Sequence, residues 1–326
     1  MNEVVIFAPS PVLTVTIEDH PEGADVHLHA GGQGVWQARM LLRLGVKVTM
    51  CSVLTGESGR VLRHLLADEG IDMVTVDRHG RGGAYVHDRR GGQRIKLIDH
   101  GGEPLSRHDL DELYGITLGQ ALGVDIVILS GPAGEKALPA DVYRRLAADL
   151  GKTGCRVIVD LAGDRLKAAL AGGVELAKVS DEELLADGRI TEKTVSQLVA
   201  AMHSLHAEGA KSVIVTRAHE PLLLLAGGVV TVVTMPTMQV ADETGAGDSL
   251  TAGVAAALAG GASLAEAITV GAAAGALNVT RHGLGTGDPQ TIERLRQHVV
   301  LKPLEPSTES ASFSPGQLAA RLEERS

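Results

Sequence analysis

The chain has 326 residues, 44% of them apolar and 2% aromatic, with 30 basic and 40 acidic side chains that leave a net charge of −10. That length allows one large α/β domain or two smaller ones, with a core built from Ala, Val, Leu and Ile. An acidic balance with so few aromatic residues argues against a general nucleic-acid binder.

In chain order, residues 4–8 read as a short buried strand. Residues 12–17 and 26–30 read as extended runs joined by a polar stretch, 18–25. Gly31-Gly32-Gln33-Gly34 turns the chain into a helix over 35–44, which Gly45 ends. A strand over 47–54, a helix from Thr55-Gly56 to Glu69 and a strand over 72–76 follow. Residues 84–87 and 94–98, on either side of Asp88-Arg89-Arg90-Gly91-Gly92, predict a β-hairpin. Arg78, Arg81, Arg89, Arg90 and Arg94 make this region basic. The cluster reads as a solvated face, or as a place where Arg78 or Arg81 reaches an anionic substrate.

Ser106-x-x-Asp109 opens a helix over 106–122. A strand over 125–130, a helix over 138–150, a strand over 156–160 and a helix over 163–170 come next. This alternation predicts a mostly parallel sheet covered on both faces, with ligands beyond the carboxyl ends of its strands. Ser130, Asp160, Thr216 and the loop before Asp248 fall at such ends. Gly151-Lys152-Thr153 is not a P-loop, because Leu146 stands where the first Gly is required and the run precedes a strand. Residues 212–216 read as a strand, and 222–226 and 229–233 as a hairpin turned at Gly227-Gly228.

Asp242-Glu243-Thr244-Gly245-Ala246-Gly247-Asp248 then precedes a helix of small residues, 249–258. Gly245 and Gly247 allow a sharp turn and close ligand approach. The amides of Gly245, Ala246 and Gly247 fall at the first helical turn, unpaired within it, and form an anion site. A carboxylate there repels phosphate, so Asp248 makes sense as a general base, or else as a plain helix cap. Ser263-x-x-Glu266 caps a second helix, on which Gly271 and Gly275 permit close packing. The stretch 250–277 is the one membrane candidate, but Gly260-Gly261 and Glu266 interrupt it, so packed soluble helices are expected.

Asp-x-Thr-Gly-Ala-Gly-Asp-Ser before a small-residue helix resembles the hallmark of the ribokinase/phosphofructokinase-B family of carbohydrate kinases. Glu243 departs from it, standing where the family has a small residue. Ser10-Pro11-Val12-Leu13 and Gly31-Gly32-Gln33-Gly34-Val35-Trp36-Gln37-Ala38 resemble the Asn-Pro-Ala-Leu-Asp and Gly-Gly-Lys-Gly-x-Asn-x-Ala of the 1-phosphofructokinase and tagatose-6-phosphate kinase branch. Here Thr14 replaces the Asp that grips sugar hydroxyls, Gln33 replaces Lys, and Trp36 replaces Asn. Gln33 removes a cation for a substrate phosphate. Trp36 either stacks on a sugar or nucleobase face or packs in the core or at an interface. Lys178-Val179-Ser180-Asp181-Glu182-Glu183-Leu184 resembles the family's Lys-Pro-Asn-x-x-Glu-Leu, with Ser180 for Asn.

The resemblance implies a ribokinase-like three-layer α/β sandwich with a mostly parallel central sheet over residues 1–300 and a small β lid from about 12–30 and 78–98; the tail over 301–326, rich in Ser, Pro and Glu, reads as partly disordered or a short helix. It implies ATP and Mg²⁺, the metal held through water by Glu183. Ser180, Thr216, Ala218, Thr244, Gly247, Asn278 and Gly283 fall on nucleotide positions. Ala218 puts a methyl where the family's Gly allows close approach. On the acceptor side the implied residues are Thr14, Gly31, Gly32, Gln33, Trp36, Arg81, Ser130 and Asp248. It also implies pairing of lids in a homodimer. Cys51 and Cys155, far apart and without metal spacing, fit a reducing cytoplasm, and no signal peptide is expected. The expected reaction is ATP-dependent phosphorylation of a hydroxymethyl group on a sugar or sugar phosphate. The rivals are a kinase of nucleosides or other small alcohols and a non-catalytic sugar- or nucleotide-binding protein.

Overall fold

Short apolar runs without alternation become central strands because both of their faces are covered. In strand β1 (Glu3–Phe7), Val4 to Phe7 are all fully buried. The computed structural model describes residues 2–236, 238–280 and 285–305. Around β1 lie β4 (Lys47–Thr55) and β5 (Asp72–Arg78) on one side. On the other lie β8 (Ile126–Ser130), β9 (Arg156–Asp160), β10 (Val174–Ser180) and β11 (Ala210–Arg217). These seven pair in parallel. The antiparallel strands β12 (Glu220–Ala226), β13 (Val229–Thr234) and β14 (Val300–Pro303) extend one edge to a ten-stranded sheet. The strand β14 carries the sheet past the domain end expected at 300.

Alternate strand residues point to opposite faces, so two cores form. One packs Val4, Ile6 and Ile128 against α1 (Gln33–Arg43), α2 (Gly56–Asp68), α8 (Ala246–Ala259) and α9 (Leu264–Asn278). The other packs Val5, Phe7 and Leu129 against α3 (Arg107–Ala121), α4 (Asp141–Lys152), α5 (Gly163–Gly172) and α7 (Val195–Glu208). The expected capping boxes are present at Ser106/Asp109 and Ser263/Glu266. The helices α8 and α9 pack backbone to backbone: a Cβ on Gly253 would fall 2.8 Å from Gly271 Cα, and one on Gly275 would fall 3.0 Å from the Ala246 carbonyl. No helix of the described residues is long and apolar enough to cross a membrane.

The lid is a four-stranded sheet, ordered β3 (Gly23–Gly31), β2 (Val12–His20), β6 (Gly83–Asp88) and β7 (Ile95–His100). Residues 78–82, expected in the lid, instead end β5 and form the link to β6. Register sorts the lid into a polar and an apolar face. Thr14 pairs with His29 and Tyr85, and Thr16 with His27 and His87. Val15 pairs with Leu28 and Val86 on the opposite face, where Val26, Leu28 and Ile98 are about half exposed.

Candidate active site

Gly245 takes φ +78°, the left-handed region that glycine adopts without penalty, and α8 starts at Ala246. Asp242 Oδ1 accepts from the Thr244 amide at 3.0 Å and so shapes the turn. The Ala246 amide donates to the Glu243 carbonyl at 3.3 Å, leaving the Gly247 amide in the open first turn of the helix. Asp248, one residue on, is buried. Its neighbours come from four elements. From α1, Gln37 Nε2 donates to Oδ1 at 3.3 Å, and the Gln33 side chain works against the upward shift of the carboxyl. Gln37, fully buried, also donates to Asp160 Oδ2 at 3.4 Å and accepts from the Ser130 hydroxyl. Gln33 Oε1 accepts from the Gly131 amide.

Beneath this layer, Lys178 and Asp160 are register partners on β10 and β9 and form a buried ion pair of 2.9 Å. The Thr251 hydroxyl lies 2.9 Å from Asp160 Oδ2 and 3.0 Å from the Gly247 carbonyl. A Cβ on Gly247 would fall 2.6 Å from Lys178 Nζ, so the ammonium sits directly against the anion loop. Burial, followed by the Asp160 carboxylate, pushes the Asp248 carboxyl up to about 8, against the opposing pull of Lys178. Burial pulls the Lys178 ammonium down, but Asp160, Glu183 and Asp248 outweigh it and hold it above its ordinary value.

Ser180 and Glu183 form a capping box on α6 (Asp181–Ala186), with Glu183 Oε2 accepting from the Ser180 amide and hydroxyl at 2.7 and 2.9 Å. Thr216 is the penultimate residue of β11, and Ala218 holds φ +43°, so the methyl-bearing residue keeps the backbone shape of a glycine. His219 pairs with Glu243 at 3.0 Å, joining that loop to the anion loop.

Asn278, Arg78 and Gln33 have partners within the protein. Asn278 is fully buried; its amide donates to the Thr244 carbonyl and accepts from Ser249 Oγ and the Gly285 amide, so it braces the loops and has no face for an adenine. Arg81 is exposed and its side chain is not among those around Asp248, while Arg78 is taken up by the Pro104 carbonyl and Asp109. Gln33 Oε1 accepts from the Gly131 amide, so that oxygen is engaged within the protein. Gly283 lies outside the described residues. Gly31 abuts Thr14, where a Cβ would fall 2.4 Å from Oγ1, and Gly32 is the N-cap of α1 at φ +105°. Thr14 and Trp36 line a cavity of about 760 Å³ between the lid and α1, separate from the residues around Asp248. Sequence reasoning gave no role to Gln37, Lys178 or Thr251; the signals available for Lys178 were its place at the head of the Lys178–Leu184 motif and its position inside the apolar run that forms β10.

Residues 2–291 match the model of the pfkB family carbohydrate kinases. The chain is 30% identical over 282 residues to the ATP-dependent 6-phosphofructokinase isozyme 2 of Escherichia coli (strain K12), covering 83% of this chain and 89% of that protein. It is 29% identical over 278 residues to the 1-phosphofructokinase of Haloferax volcanii, covering 82% and 88%. Phosphofructokinase-2 from Escherichia coli in complex with fructose-6-phosphate superposes with a TM-score of 0.78 at 25% identity, over 91% of this chain and 99% of that one.

Proposed function

The chain belongs to the pfkB family of carbohydrate kinases, and from that premise we propose that it moves the γ-phosphoryl group of ATP to a hydroxymethyl group of a sugar or sugar phosphate, with Asp248 as general base. The observation that carries this reading is a buried carboxylate one residue past the open Gly247 amide of a helix N-terminus, hydrogen-bonded from α1 by Gln37. The γ-phosphate would sit against the Gly245–Gly247 turn, where the open Gly247 amide and the helix dipole favour its charge. As the acceptor oxygen attacks phosphorus, its proton passes to Asp248. The bond from the γ-phosphorus to the bridging oxygen breaks, and ADP leaves with that electron pair. The loop amides and the Lys178 ammonium beneath Gly247 stabilise the charge on the transferring group.

Magnesium fits the oxygen-only donor chemistry here: Glu183 would hold it through water, and the ion, when bound, neutralises phosphate charge. Thr216, Ala218, Thr244 and Ser180 would line the nucleotide. Two buried free thiols, Cys51 and Cys155, suit a reducing cytoplasm. The apolar lid face, with Val26, Leu28 and Ile98 half exposed, supports pairing of two lids in a homodimer.

The test is ADP release with Mg-ATP over a panel of sugars and sugar phosphates, wild type beside Asp248→Asn. Acceptor-dependent turnover is expected, with a loss of roughly 10²–10⁴-fold in the variant. Turnover unchanged in Asp248→Asn would sink the assignment of the base.

A further inference from the structure

Ser130, Asp160 and Lys178 are register partners at the carboxyl ends of β8, β9 and β10, so their side chains stand in a row across the sheet. Lys178 and Asp160 form the buried ion pair. The Ser130 hydroxyl instead donates to Gln37 Oε1 on α1. From the opposite helical layer, the Tyr143 hydroxyl on α4 donates to the Ser130 carbonyl at 2.9 Å. The Phe7 ring packs edge-on against Tyr143 at 5.6 Å. Tyr143, Ser130 and Gln37 are all 0% exposed. A polar chain therefore runs from one face of the sheet to the other, sealed from solvent, and Ser130 and Gln37 touch no bound ligand.

The chemistry of the partners fixes which way the Gln37 amide points. Asp160 accepts from Lys178 at Oδ1 and from the Thr251 hydroxyl at Oδ2, and an ion-paired carboxylate can only accept. The end of Gln37 that meets it must be the NH2 group. The Ser130 hydroxyl, donating to the other end, holds the amide that way round. One NH2 group carries two hydrogens. Nε2 lies 3.4 Å from Asp160 Oδ2 and 3.3 Å from Asp248 Oδ1, an acceptor for each. Gln37 thus stands as a wedge between Asp248 and the ion pair. An amide does this without adding charge. A carboxylate in its place would set three acids together, and an apolar side chain would take this donor from Asp248. A donor to a carboxylate favours its ionised form, the form a base needs.

We propose that Gln37 and Ser130 are positioning residues for the phosphoryl transfer: the Gln37 amide, oriented by Ser130, tethers the Asp248 carboxylate and separates it from the Asp160–Lys178 pair. The proposal rests on the kinase reading above and deepens it. It also gives Ser130 a role that needs no contact with the acceptor.

The charged groups facing Asp248 are Asp160 on β9, Lys178 on β10 and Glu183 on α6, and all three are kept in every variant. Urea unfolding of the full chain is followed against pH for wild type, Gln37→Leu, Ser130→Ala and the double variant, each also combined with Asp248→Asn. In wild type the stability carried by the Asp248 proton fades as pH rises through about 8. Losing a donor to the charged form raises that carboxyl, so in Gln37→Leu the fade should move upward by about one unit or more. The move should vanish when Asp248→Asn is present. Ser130→Ala should give a smaller move in the same direction, and none once Gln37→Leu is present, because both act through one amide. ADP release is measured with Mg-ATP over a panel of sugars and sugar phosphates, fructose and fructose 6-phosphate included. There Gln37→Leu should lower kcat roughly tenfold or more on the acid side and leave both KM values within about twofold. A midpoint lowered equally at every pH, or additive effects of the two variants, overturns the proposal, since packing alone behaves that way. A kcat equal to wild type in Gln37→Leu overturns it too. If Gln37→Leu does not fold, Ser130→Ala decides by the same readouts. A shifted stability profile with no ADP release from wild type keeps the tether on Asp248 and removes the kinase reading.

Discussion

Replacing Lys178 by Met tests the layer beneath the proposed base. The ammonium is buried 2.9 Å from Asp160, itself 1% exposed, and rests against Gly247. Met keeps the length and the packing but removes the charge. A buried pair broken on one side costs about 3–5 kcal/mol, because the remaining carboxylate keeps its desolvation penalty. Lys178 also opposes the forces that raise Asp248, so its loss drives that carboxyl further up and leaves less base ionised. Two readouts follow. Urea unfolding should show a lower midpoint with unchanged slope. The double variant Lys178→Met, Asp160→Leu should recover roughly 2 kcal/mol or more relative to the sum of its parts, since neither charge is then stranded. Additive single effects, or a loss below about 0.5 kcal/mol in Lys178→Met, would refute the reasoning, because an exposed pair behaves that way.

The pH dependence carries a sign. Asp248 must be ionised to accept a proton, and with its carboxyl near 8, kcat/KM should climb as pH rises toward that value, about tenfold per unit on the acid side. Stability should move the other way. The folded protein holds the Asp248 proton where the unfolded chain has lost it, so this group's contribution is full below about 3.8 and fades as pH rises through about 8. Asp248→Asn should flatten that slope in thermal melts between these values; an unchanged slope would mean that another group sets it. Ala218→Gly should raise the melting temperature by about 2 °C, since Ala at φ +43° carries a left-handed penalty of roughly 1 kcal/mol that glycine lacks. A lower melting temperature would show that the loop is unstrained.

Local signals made much of the fold legible. Ser106 and Ser263 announce their helices because the capping box is a contact across three residues. Gly227-Gly228 announces its hairpin because both residues must adopt positive φ. The helix α7 falls outside the sequence reading, although Thr194 caps it and Leu198, Ala201, Met202 and Leu205 repeat at helical spacing. The strand β14 is short and half exposed, with no alternation to mark it. In the site, the anion loop is legible because turn, amides and carboxylate lie within seven residues. Gln37 is not: its partners Ser130, Asp160 and Asp248 are 93, 123 and 211 positions away, and nothing in the α1 sequence distinguishes it from a surface glutamine.

The same contrast bears on the departures from the family that lie on the acceptor side. Around Asp248, each polar group serves two or more elements: Gln37 joins α1 to β8, β9 and α8, and Thr251 joins α8 to β9. Changing one of them strands a buried partner, with a cost of about 1–3 kcal/mol or more. Thr14, Trp36, His27 and His29 stand on the wall of a cavity, where His27 stacks on His29 and reaches Asp25 at the surface. Replacing them alters what the cavity accepts without stranding a core group. Phosphoryl transfer and acceptor choice are therefore separable by mutation: cavity variants such as Trp36→Phe should change which alcohol binds, whereas variants beneath the anion loop should lower stability and turnover together.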